Sequence, residues 1–236
     1  MLEILRPRPG LASGRTRAAT PESESVSRDE RDDLMLAVFL LALAGFVDAV
    51  GFLILGGLFV SFMSGNSTQF AIRTGQTLWS AAAPAETIVA LFVAGVVVGR
   101  LAATAASAWR RPAILMLEAA FLGLSAFAPM PEFAAGALMT FAMGAQNGIL
   151  HAAGRTTGLT YATGSLVKFG EALADALTGF GPRSAPWPYL SLWAGMVAGG
   201  VTGAVAYGRF GLAALVLPAV AAALLAAATA GPARRG

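Results

Sequence analysis

From Leu34 to Thr229 the chain is a series of apolar runs with short polar interruptions. Most are long enough to cross a hydrocarbon core of about 30 Å, which takes roughly 20 helical residues. Strong runs cover Leu34 to about Phe59, Ala85 to Ala108, Ala113 to Ala128, Phe133 to about Ala152, Trp187 to Tyr207, and Phe210 to Thr229. Two weaker segments stand among them. Ser64 to Ser80 holds Asn66, Gln69, Arg73, Thr74 and Gln76, and Thr160 to Thr178 holds Lys168, Glu171 and Asp175. The first is too polar to face lipid, but it suits a helix buried among others.

The order strong, weak, strong, strong then occurs a second time, and the match extends to single residues. Val60-Ser61-Phe62-Met63-Ser64-Gly65-Asn66 and Leu159-Thr160-Tyr161-Ala162-Thr163-Gly164-Ser165 stand 99 positions apart, as do Asp48 and Asn147, Gly45 and Gly144, and Phe70 and Phe169. After a slip of one residue, Gly95 and Gly99 fall on Gly195 and Gly199. Basic residues in short loops decide how many segments cross, because Lys and Arg concentrate on the cytoplasmic side. With the weak segments re-entrant or half-length, six helices cross, and the N-terminal tail, Arg110-Arg111, Arg155, Arg183 and Arg234-Arg235 share one side. With eight crossings, Arg110-Arg111, Arg155 and Arg209 fall outside.

The fold expected is therefore all-α, a polytopic membrane helical bundle. It has two repeats, each of three spanning helices plus one short or re-entrant helix, and an odd number of spans makes the repeats inverted. Residues 34–130 form the first membrane repeat and 131–230 the second. Residues 1–33, with six Arg, seven acidic residues and three Pro, read as a disordered cytoplasmic tail, and 231–236 as a C-terminal tail. The start of the chain lacks the apolar stretch that a cleaved secretory signal needs.

Composition agrees. The 236 residues are 56% hydrophobic and 12% charged, against about a quarter charged in a soluble domain. Mean hydropathy is +0.69. The net charge of +3 does not indicate nucleic acid, because the surplus Arg flank apolar helices. There is no Cys and one His, His151, so thiolate and multi-histidine metal sites are excluded; neither a metal nor a cofactor is expected. Gly95-xxx-Gly99-xxx-Ala103, Gly195-xxx-Gly199-xxx-Gly203 and Thr140-xxx-Gly144-xxx-Gly148 supply small-residue ridges on which helices can approach closely in lipid. Trp79, Trp109, Trp187 and Tyr189 fall at segment ends, as interfacial anchors do.

The candidate chemistry lies at the breaks. Open backbone groups in hydrocarbon cost several kcal/mol, so each break must be buried in protein or wet. In Ser64-Gly65-Asn66 and Thr163-Gly164-Ser165, Gly permits a non-helical dihedral and the polar side chains can cap the next helix. Such a helix start presents N–H groups to an anion or a carbonyl oxygen. Two of them facing across a pseudo-two-fold would share one cavity. Asp48 sits about fourteen residues into its span, where a charge needs a partner, a cavity or a proton. Arg73, Lys168 and Arg100 are the available cations. Its repeat mate Asn147, with Gln146 beside it, makes the site asymmetric. Lys168, Glu171 and Asp175 lie along one stripe, where Lys168 and Glu171 can pair. That stripe either lines a polar cavity or lies wet at the interface. Glu118 reads as a boundary residue. The substrate-binding set expected is Asp48, Ser64, Gly65, Asn66, Gln146, Asn147, Thr163, Gly164, Ser165 and Lys168.

Gly45-Phe46-Val47-Asp48-Ala49, Phe59, Met63-Ser64-Gly65-Asn66, Met143-Gly144-Ala145-Gln146-Asn147-Gly148 and Thr163-Gly164-Ser165 together resemble the YoaK-like family of small bacterial integral membrane proteins. The resemblance spans roughly Leu34 to Thr229; Ser64 stands where members usually have Thr. It implies the bacterial cytoplasmic membrane, with no assigned activity. The function expected from the residues is a transporter or permease-like protein for a small unidentified solute, proton-coupled through Asp48 and partnered by the lipid bilayer. The alternative is a non-transporting scaffold or partner subunit. No enzyme is expected, because no nucleophile–base pair or metal constellation stands out. Homo-oligomerisation stays open.

Overall fold

The computed structural model describes residues 21–105, 109–147 and 162–230, with side chains from residue 31 onward. Among these the chain is helical without a strand. Its elements are α1 (Pro21–Ile54), α2 (Met63–Gly75), α3 (Trp79–Ala105), α4 (Arg110–Phe127), α5 (Glu132–Gln146), α6 (Ala162–Thr178), α7 (Trp187–Phe210), a 3-10 turn (Gly211–Leu215) and α8 (Val216–Thr229). By length and apolar composition, Arg31–Ile54, Trp79–Ala105 and the helical run Trp187–Thr229 can cross a membrane. Leu159 to Tyr161 of the second motif, His151, Arg155 and the C-terminal tail lie outside the described residues.

One boundary differs from expectation. Helix α1 begins at Pro21, thirteen residues inside the segment read as a disordered tail. Pro at a first helical position and the acidic Glu22 and Glu24 beside it favour a helix start, and the apolar pattern could not report this.

The bundle is assembled on small residues. Helix α1 packs chiefly on α7, α3 on α5, and α4 on α8, while α2 lies on α3 and α6 on α7. At the α1–α7 crossing, a Cβ added at Gly199 would collide with the Ala42 carbonyl and one at Gly203 with the Phe46 carbonyl. The same happens from the other side, where a Cβ at Gly45 would meet the Met196 carbonyl. At the α3–α5 crossing, Gly95 and Gly99 press on the Phe141 and Ala145 carbonyls, and Gly144 presses on Phe92. The glycines therefore serve as the ridges that bring backbones together where hydrophobic burial gives no drive.

Bulky side chains turn outward instead. Val93, Val97 and Leu101 on α3 and Val197, Val201 and Val205 on α7 are exposed, on the faces opposite the buried glycines. An apolar exterior of this extent, around an interior of Ala, Gly, Val and Met, is what a lipid solvent selects.

Candidate functional site

Helix α1 stops at Ile54 because Gly56 and Gly57 take positive φ values of 62° and 99°, which side chains with a Cβ resist. The chain then runs unwound to Phe62, and its backbone groups need partners. Asp48, one and a half turns before the end of α1, supplies them. Its Oδ1 accepts from the N–H of Val60 at 2.7 Å and of Ser61 at 2.9 Å, and its Oδ2 accepts from the Ser61 hydroxyl at 2.9 Å. The carboxylate is 4% exposed. It lies just ahead of the N-terminus of α2, so the anion favoured by that helix start belongs to the protein itself.

Asn66 closes the break from the other side. Its Oδ1 accepts from the Phe59 N–H at 2.9 Å while its Nδ2 donates to the Phe59 carbonyl at 2.6 Å, a reciprocal pair that copies a backbone ladder. The same face of α2 continues with Gln69, whose Nε2 donates to the Gly57 carbonyl at 2.6 Å. Arg73 then donates to Gln69 at 2.9 Å and to the Ala81 carbonyl at 2.8 Å. The polar stripe that looked too wet for lipid is thus spent on the loop and on the start of α3.

Two expectations about this break are corrected. Helix α2 starts at Met63 after Phe62 and has no side-chain cap, so Ser64, Gly65 and Asn66 lie inside its first turn. Ser64 is exposed, and Gly65 sits under the Phe62 ring, where a Cβ would collide. Nor does Asp48 pair with Arg73, Lys168 or Arg100: among the described residues the single ion pair joins Arg111 to Asp33 at 3.3 Å.

Beside Asp48 lies a cavity of about 550 Å³ between α1, the unwound loop, α6 and α7. Phe52, Phe59, Phe62, Trp193 and Met196 are among the side chains that line it; Asp48 and Thr163 contribute to a lining that is otherwise almost wholly apolar. Gly45 and Gly200, from the α1–α7 crossing, also line it. Residues from the first break, Phe59 and Phe62, and from the start of α6, Ala162 and Thr163, therefore reach one cavity. The pocket is greasy, not the hydrophilic one expected, because the polar groups of the first break turn inward to its backbone.

The remaining expected residues disperse. Gly164 and Ser165 are half-buried in the first turn of α6. Lys168 is exposed, with its Nζ 5.9 Å from the Tyr189 ring centre; it makes no ion pair with Glu171. Asn147 caps the end of α5, donating to the Met143 carbonyl at 2.9 Å. Gln146 is wholly buried and donates through Nε2 to Glu118 at 3.1 Å, away from the cavity. Glu118, taken from sequence for a boundary residue, is also wholly buried. The spacing of Ile114, Leu115, Glu118 and Leu122 on one helical face was the available signal.

Residues 36–228 match the family model described as protein of unknown function (DUF1275). The UPF0700 transmembrane protein RA0705 of Rhizobium meliloti (strain 1021) is 37% identical over 202 residues, covering 83% of this chain and 85% of that protein. No solved structure matches. The chain is a membrane protein and belongs to the DUF1275 family.

Proposed function

We propose that this protein is a transporter of the bacterial cytoplasmic membrane, that both termini are cytoplasmic, and that its cargo is a small apolar or amphipathic solute. The observation carrying this is the cavity between the first break, α6 and α7, large enough for such a ligand and lined by aromatic and aliphatic side chains. An apolar wall has little to offer a strongly hydrated ion, which would lose its water shell without replacement.

The architecture proposed is two inverted repeats, and the packing supports it. The α1–α7 contact has its counterpart in α5–α3, α2–α3 in α6–α7, and α4–α8 is its own counterpart. The register is one helical turn from the alignment by glycine alone. Gly95 meets Phe141 as Gly199 meets Ala42, and Gly99 meets Ala145 as Gly203 meets Phe46. Gly95 thus answers to Gly199 and Gly99 to Gly203, 104 positions on, instead of Gly195 and Gly199. The same offset carries Val93, Val97 and Leu101 onto Val197, Val201 and Val205, and buried Ile114, Leu115, Glu118 and Leu122 onto buried Pro218, Ala219, Ala222 and Ala226. Five more residues thus separate the mates of α3 than those of α1; they fall between α5 and α7.

Gly200 gives the test. A Cβ there meets nothing closer than the Gly45 carbonyl at 3.7 Å, so a larger side chain can enter the cavity without moving a helix. In proteoliposomes loaded with a panel of aromatic amines, aromatic carboxylates and short fatty acids, at least one solute should cross at least tenfold faster with the native protein than with Gly200→Leu. Equal rates for every solute would sink the reading. A second reading, a scaffold subunit of another membrane complex, is favoured by one observation: Asp48, Asn66, Gln69 and Arg73 all spend their polar groups inside the chain.

A further inference from the structure

We propose that Glu118 and Gln146 together hold one exchangeable proton, at a site separate from the cavity beside Asp48. Glu118 on α4 and Gln146 at the end of α5 are both at 0% exposure. Gln146 Nε2 donates to Glu118 Oε1 at 3.1 Å, and this leaves Glu118 Oε2 and Gln146 Oε1 with neither a partner nor solvent. On an ionised carboxylate both orphan atoms are acceptors, and neither can serve the other. One hydrogen on Oε2 resolves both: the acid donates to Gln146 Oε1, closing a carboxyl–carboxamide ring with two hydrogen bonds. Turning the amide over changes nothing, because its oxygen would then face Glu118 Oε1 and again require a hydrogen between them.

Among the described residues, no neighbouring charge takes the place of that proton. Helix α8, packed on α4, carries no titratable group. On α3, Glu86 and Arg100 are exposed, and on α5 Glu132 lies at the far end, exposed. On α1, Asp33 is engaged by Arg111 of α4, and Asp48 is held by Val60 and Ser61. Arg110 stands at the start of α4, two turns from Glu118, and the chain's single ion pair among the described residues does not involve it.

The packing does not require a polar pair at this place. In the register proposed above, Glu118 answers to Ala222 and Gln146 to Val47, both fully buried and apolar in one continuous core. One half of the bundle therefore closes with a methyl and an isopropyl group where the other keeps a carboxyl and an amide. A wholly buried ionisable group in a membrane protein is by default a candidate functional position. Ionisation breaks the Oε2–H bond, leaves its electron pair on the carboxylate and sends the proton to water; no other bond changes. The site stands on its own geometry, and as a coupling group it would deepen the transport reading.

Infrared difference spectroscopy on the full chain in liposomes tests it without any substrate. At neutral pH the native protein should show the C=O stretch of a protonated carboxylic acid, downshifted in heavy water and lost as the pH is raised. Glu118→Gln should abolish the band and Asp48→Asn should keep it. Isotope-labelled glutamate in the unsubstituted chain should shift it, a readout independent of any variant's folding. A native protein without the band, a band unmoved by labelled glutamate, one surviving Glu118→Gln, or one insensitive to pH overturns the proposal.

Discussion

Gly199→Ile should prevent the native bundle from forming. The side chain would enter the closest approach of α1 and α7, where even a Cβ meets the Ala42 carbonyl, and a helix backbone cannot rotate aside as a flexible side chain can. Overpacking a core costs about 1–3 kcal/mol when side chains give way, and separating two helices forfeits the whole interface besides. Thermal unfolding in detergent, followed by tryptophan fluorescence, should show a cooperative transition for the native protein and none for Gly199→Ile. The neighbouring Gly200→Ala, whose Cβ makes only an ordinary contact with the Gly45 carbonyl at 3.7 Å, should unfold like the native protein. Similar behaviour of the two variants would show that the α1–α7 crossing is not set by glycine.

Asp48→Ala carries the next largest effect. It leaves two N–H groups and a hydroxyl without an acceptor in a region closed to water, at about 1–3 kcal/mol for each orphaned group. Asp48→Asn should be close to neutral, because the remaining oxygen can keep both N–H bonds while the amide donates to the Ser61 oxygen. Thermal midpoints in the order native, Asn, then Ala by a wide margin express this role. If Asn falls as far as Ala, the charge itself matters, and the carboxylate does more than brace the loop.

The two predictions also mark what was legible in the chain. Apolar runs, small-residue ridges and the motif around Gly65 announce the helices, their contact faces and the first break, because each is a local pattern with a local cause. Asp48 announces a polar site, but not that its donors are the backbone N–H groups twelve and thirteen residues on. That pairing depends on the path the unwound segment takes after Gly57. The burial of Glu118 was harder to see for the same kind of reason. Its distance from Pro112 suggests the membrane boundary, and the docking of α5 and α8 encloses it in protein. In the proposed repeat the mates of Gly95 and Gly99 lie one turn from Gly195 and Gly199, because glycine recurs every fourth residue there and identity alone does not choose between successive turns.

Asp48 and Asn66 hold the unwound segment between α1 and α2 through bonds within the chain. A carrier has to make its homeward journey with nothing aboard. When a cargo supplies the hydrogen bonds of an unwound segment, departure strands them and the empty form must refold or stall. The unwound segment here keeps its own counterparts, so in the proposed transport reading loaded and vacant forms would share one backbone, with no order–disorder step at the break.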